Sequence, residues 1–108
     1  MKMKEVPRDR ILKYQNLENV IDIVYYFIED FTEEAMGAFI VKAELFKVFQ
    51  EFCEKYYINK AFYLNIMSFG RIMKKLEYRD SIRIVNGKRC HVWLGFKWLT
   101  SSSSSTSS

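Results

Sequence analysis

The 108-residue chain carries 17 Lys and Arg against 13 Asp and Glu, a formal net charge of +4, and is 49% hydrophobic and 17% aromatic. This is one domain's worth of chain, enough for a single core, and its aromatic content excludes a disordered polypeptide. The net charge conceals an asymmetry: residues 1–54 hold seven basic and eleven acidic side chains, net −4, whereas residues 55–108 hold ten basic ones against Glu77 and Asp80, net +8. Such a field turns the C-terminal half toward a polyanion and the N-terminal half away from it.

The opening Met1-Lys2-Met3-Lys4-Glu5 leads into polar residues without the apolar core of a signal peptide. No apolar run approaches the roughly 20 residues of a membrane span. An intracellular, non-membrane protein with Cys53 and Cys90 reduced is therefore expected.

Residues 1–15, with Pro7 and the alternating charges Arg8-Asp9-Arg10, read as a flexible arm or linker. Residues 16–100 read as the folded domain. Asn16 is the expected cap of a first amphipathic helix, in which Leu17, Val20, Ile21, Val24, Phe27, Ile28 and Phe31 follow the 3.6-residue period. Glu29, Asp30, Glu33 and Glu34 fall near its end as a solvated acidic patch. Gly37 interrupts the pattern, and Ala38 to Val41 is short and apolar enough for one strand.

Leu45, Val48, Phe49, Phe52, Cys53 and Tyr56 then form the stripe of a second helix, with Lys42, Glu44, Lys47, Glu51, Glu54 and Lys55 mostly outside it. Ile58 to Leu64 reads as a packed turn. Asn65 caps a third helix, Ile66 to Glu77, whose apolar face is Phe69, Ile72, Met73 and Leu76. Gly70 inside it costs about 1 kcal/mol relative to Ala, which a close approach to another backbone would explain.

Ile82 to Val85, Asn86-Gly87 and Arg89 to Leu99 form a hairpin, because a type I′ turn needs positive φ at both central residues. Residues 101–108 are Ser/Thr-rich and expected to be disordered. Helix, short strand, helix, helix, strand, strand is an α+β winged helix-turn-helix order: three helices, a short strand and a C-terminal β-hairpin wing.

Three segments resemble the C-terminal domain of phage and plasmid primase-helicases and of the poxvirus-type primase-helicases of large DNA viruses. Leu45-Phe46-Lys47-Val48-Phe49-Gln50-Glu51-Phe52-Cys53 is similar to that family's second helix. Phe69-Gly70-Arg71-Ile72-Met73-Lys74-Lys75-Leu76-Glu77-Tyr78 resembles its recognition helix, and Val92-Trp93-Leu94-Gly95-Phe96-Lys97 its last wing strand. The resemblance spans about residues 17–99. It implies an accessory module that engages template or origin DNA beside a helicase or primase domain or subunit in viral, phage or plasmid replication. The primase and helicase portions are absent from this chain.

The residues expected to contact nucleic acid are Ser68, Arg71, Lys74 and Lys75 on the third helix, Arg79 after it, and Arg83, Lys88, Arg89 and His91 on the hairpin. Their donors suit phosphates and base edges, and the fork of Arg71 suits guanine. Alternation along the last strand sends Trp98 to the core and leaves Trp93 as a candidate for stacking on an unpaired base.

Cys90 and His91 point to opposite faces of a strand and form no catalytic dyad. One histidine and two unpaired cysteines do not make a structural zinc site, and the acidic patch lacks the loop glycine of a cation site. The four glycines form no phosphate loop, and a single histidine leaves no plausible Ser-His-Asp set. No enzyme activity, metal or cofactor is expected in this chain. A stand-alone winged-helix transcriptional regulator and a protein-docking module of a replication complex remain open beside the replication reading.

Overall fold

The computed structural model describes residues 6–99, in the order α1 (Arg8–Asn16), α2 (Val20–Phe31), β1 (Thr32–Val41), α3 (Lys42–Lys55), a 3₁₀ turn (Asn59–Ala61), α4 (Ile66–Lys75), β2 (Asp80–Val85) and β3 (Lys88–Trp98). Four helices pack with a three-stranded antiparallel sheet of order β1-β3-β2. The Ser-rich tail lies outside the described residues.

Residues 8–15, expected as a flexible arm, are helical. Pro7 stands at the N-cap of α1, and Arg10 and Tyr14, four residues apart on one face, both reach Asp30 of α2. Tyr14 is 1% exposed and meets the Phe52 ring edge-on at 4.8 Å. Gln15 donates to the Tyr56 carbonyl at 2.8 Å. Of the alternating charges that resemble a linker, Arg8 and Asp9 are on the outer face of a docked helix and Arg10 is one of its attachments.

Asn16 therefore ends α1, and the cap of α2 is Asn19, whose side chain accepts from the Ile21 amide at 2.9 Å. Helix α2 stops where the Thr32 hydroxyl donates to the Ile28 carbonyl at 2.6 Å. The strand begins there, six residues before Ala38, so Glu33 and Glu34 belong to β1 and not to a helix end.

Both α3 and α4 end in Schellman turns without glycine. The Ile58 amide bonds the Cys53 carbonyl at 2.9 Å around Tyr57 at φ 56°, and the Tyr78 amide bonds the Met73 carbonyl at 3.1 Å around Glu77 at φ 71°. The second turn ends α4 at Lys75, two residues earlier than its apolar pattern suggests.

Rings from α1, α2, α3 and α4 form the centre of the core. Phe27 stacks on Phe31 at 4.7 Å and meets Phe49 at 5.1 Å, and Phe49 meets Phe69 at 5.0 Å. One face of the sheet closes this core with Trp93 and Phe96, 1% and 3% exposed. Trp93 is thus a buried residue and not an open stacking platform, while Trp98 is only half-buried. Strict alternation fails because the register shifts between Glu34↔Phe96 and Phe39↔Leu94. The segment between Glu34 and Phe39 bulges opposite Gly95, at φ 91°, so residues of opposite parity reach the same core.

The hairpin forms as expected. Val85 pairs with Lys88 across Asn86 (φ 53°) and Gly87 (φ 79°), a two-residue type I′ turn. Among the described residues no helix is long and apolar enough to cross a membrane.

Candidate nucleic-acid interface

Helix α4 owes its start to a reciprocal cap. The Asn65 side chain accepts from the Ser68 amide at 2.8 Å, and the Ser68 hydroxyl accepts from the Asn65 amide at 2.9 Å. Ser68, expected as a DNA contact, has its hydroxyl occupied by this cap. Phe69, Ile72 and Met73 fix the buried face of α4. Successive residues turn by about 100°, so Met67, Gly70, Arg71 and Lys74 share the flank toward β3, and Lys75 turns toward the flank of Ser68.

An open groove of about 570 Å³ runs between that flank, the β1–α3 junction and β3. Val41, Ala43, Ile66, Met67, Gly70 and Trp93 supply its apolar lining, and Lys42, Arg71, Lys74 and His91 its basic rim. Gly70 faces the Trp93 ring, since a Cβ there would lie 3.9 Å from Cζ2 and no nearer to any backbone. The close backbone approach expected at Gly70 is replaced by an aromatic one.

Asp80 ties the groove's end together. It accepts from Lys42 Nζ at 2.7 Å and from Lys74 Nζ at 2.9 Å, and Lys42 also stands over the Trp93 ring at 4.4 Å. The hydrogen bonds from Lys42 and Lys74 lower the Asp80 carboxyl to about 2. Two ammoniums share one carboxylate, so the trio keeps a single positive charge.

The hairpin divides its cations between two faces. The pairs Ile84↔Arg89, Ile82↔His91 and Asp80↔Trp93 put Arg89 and His91 on the face of Trp93, toward the groove. The pairs Arg83↔Cys90 and Val85↔Lys88 put Arg83 and Lys88 on the opposite face. Arg83 donates to the Ser81 hydroxyl at 2.9 Å.

Arg79 belongs to neither group. It borders a second cleft with Glu29, Glu34 and Glu77, on the acidic side of the molecule. Arg71, Lys75, Lys88 and Arg89 are exposed and make no ion pair among the described residues.

The groove-forming residues absent from the expected contacts include Val41, Lys42, Ala43, Ile66, Met67 and Cys90. Ile66 and Met67 carried a signal, being apolar residues on the polar side of the α4 pattern. Lys42 carried none, because its partner Asp80 is 38 residues away. Burial pushes the Cys53 thiol up to about 12, whereas Cys90, half-buried and paired with Arg83 across the hairpin, also lines the groove. Among the described residues no three His, Cys, Asp or Glu side chains converge as a metal site.

No family model matches the chain, and no curated protein and no solved structure matches it.

Proposed function

We propose that this domain is a winged helix that binds DNA through α4 and the β2–β3 hairpin. The observation that carries the reading is the placement of exposed cations that make no ion pair among the described residues: Arg71 and Lys75 on α4, Lys88 and Arg89 on the hairpin, with the side chains of Arg83 and His91 next to these in the strands. The element order from α2 onward and the sheet order β1-β3-β2 support the winged-helix description.

Attraction of a duplex by the basic half comes first, and docking of α4 in the major groove with the hairpin on neighbouring phosphates follows. Most of the affinity is independent of base sequence. Arg71 is the side chain suited to read guanine, through two parallel donors. The resemblance to primase-helicase C-terminal domains supports a role in template or origin engagement during viral, phage or plasmid replication. The enzymatic steps then belong to another polypeptide segment or to a partner.

Fluorescence anisotropy with duplex, forked and single-stranded DNA at two salt concentrations tests the reading. Four phosphate contacts correspond to a loss of about 100-fold between roughly 50 and 200 mM salt. Arg71→Ala/Lys75→Ala and Lys88→Ala/Arg89→Ala each weaken binding by about tenfold and flatten that salt dependence. Absence of binding to every form at low salt overturns the proposal.

A further inference from the structure

The groove beside α4 has a form that binding to the outside of a duplex does not use. Contacts to the phosphates of a duplex need only exposed cations, whereas here an apolar concavity lies among them. Its volume, about 570 Å³, falls in the size range of small-ligand sites. Met67 and Ile66 at its edge are 68% and 44% exposed, an arrangement that gains nothing in water. Gly70 keeps the floor beside the Trp93 ring low and flat.

We propose that this groove seats one unpaired nucleobase at a duplex end or fork, with the adjoining phosphate held at the rim by Arg71 and the Lys42–Asp80–Lys74 trio. This rests on the DNA-binding reading above. The chemistry on the two sides of the groove matches the two halves of a nucleotide. The base is a flat, apolar-faced ring that packs on the exposed Met67 thioether and Ile66 side chain, over the floor left open by Gly70. The phosphate is an anion, and the rim offers cations with only Asp80 as internal counter-charge.

Arg89 and His91 face the same way as the groove, so a strand leaving a docked duplex meets the Arg89 guanidinium and the polar imidazole of His91 on its path to the pocket. A second copy of this basic half is repelled by the rim.

The test compares one duplex in three forms by anisotropy titration of the full chain: blunt, with a short single-stranded overhang, and with the same overhang made abasic. Both overhang polarities are included. The expected result is binding about tenfold tighter to the intact overhang than to the blunt end, the effect of burying one base face on the apolar lining, with the abasic overhang returning to the blunt value. Gly70→Leu, which fills the floor, and Met67→Ser each bring the overhang-to-blunt ratio toward one, while thermal melting reports whether each variant is folded.

Salt-sensitive blunt binding with no overhang preference overturns the pocket and leaves the DNA reading standing. An abasic overhang bound as tightly as the intact one shows that phosphates alone are held, which also overturns it. A preference unchanged in both folded variants moves the base elsewhere on the protein and contradicts the assignment. Self-association in sedimentation that Gly70→Leu abolishes assigns the groove to a second copy instead. Failure to bind any DNA removes both proposals together.

Discussion

Two aspartates, Asp30 and Asp80, each hold a pair of donors from other elements of the fold, Arg10 with Tyr14 and Lys42 with Lys74, and they differ in setting. Asp30 holds Arg10 and the Tyr14 hydroxyl, with its side chain 15% exposed and Tyr14 wholly inside. Asp80 holds Lys42 and Lys74 with 31% exposure, at the border of an open groove. The first cluster fastens α1 onto α2. The second retains one positive charge and joins Lys42 to Lys74 and Asp80 of the basic half. Burial depth and donor type, not the carboxylate itself, separate a buried anchor from a screened surface bridge.

The comparison breaks if the two aspartates respond alike to substitution. Asp30→Ala leaves the buried Tyr14 hydroxyl without an acceptor, and urea unfolding is expected to show a loss of about 2 kcal/mol with DNA affinity unchanged. Tyr14→Phe removes the donor together with its need for a partner and costs less, about 1.5 kcal/mol.

Burial first, and the hydrogen bond to Asp30 second, raise the Tyr14 hydroxyl far above its ordinary 10.0. The folded value exceeds the unfolded one, so this contribution is fully present below pH 10 and lost as pH rises above it, by about 1.4 kcal/mol per unit. Unfolding curves taken above pH 10 should therefore flatten in Tyr14→Phe relative to the parent chain.

Asp80→Asn is expected to cost at most about 1 kcal/mol, because solvent screens a bridge this exposed. Its sign on binding is the opposite of an ordinary loss of function. Removing the counter-charge leaves two free ammoniums, and duplex affinity at low salt rises about threefold with a steeper salt slope. The Asp80 carboxyl sits near 2 in the folded chain against 3.8 for the free side chain. The bridge thus stabilises the fold above about pH 3.8 and is lost as pH falls toward 2, a decline that acid titration of Asp80→Asn should lack.

The smallest effect concerns the turn that returns the chain from Lys74 to Asp80. Glu77 is held at φ 71°, where glycine is unstrained. Glu77→Gly is expected to raise stability by about 0.5 kcal/mol in thermal melts, with the Lys74–Asp80 contact intact.

What the sequence makes legible here is local. Asn86-Gly87 announces its own turn, Asn65 announces its helix, and the apolar stripe of α4 is complete within ten residues. What it conceals depends on distant partners. Helix α1 is held by Asp30, 16 and 20 residues beyond Tyr14 and Arg10, so its charges looked like a linker.

The Trp93 face was concealed by the Gly95 kink, which breaks alternation between Trp93 and Phe96. The helix ends at Tyr57 and Glu77 lack the glycine that marks such turns. Of the site, Arg71, Lys74 and His91 meet around one groove as the basic pattern suggests, whereas Lys42 enters from another helix and Arg79 turns to the acidic cleft.

The most direct test of the central claim maps which of the two regions touches DNA. Backbone amide resonances of the full chain are followed by NMR as a short duplex is added at low salt. The account predicts shifts and broadening across α4 and the β2–β3 hairpin, with α1 and the Asp30 side of α2 unmoved. Shifts centred on α1 and α2, or none at any DNA concentration, would contradict it.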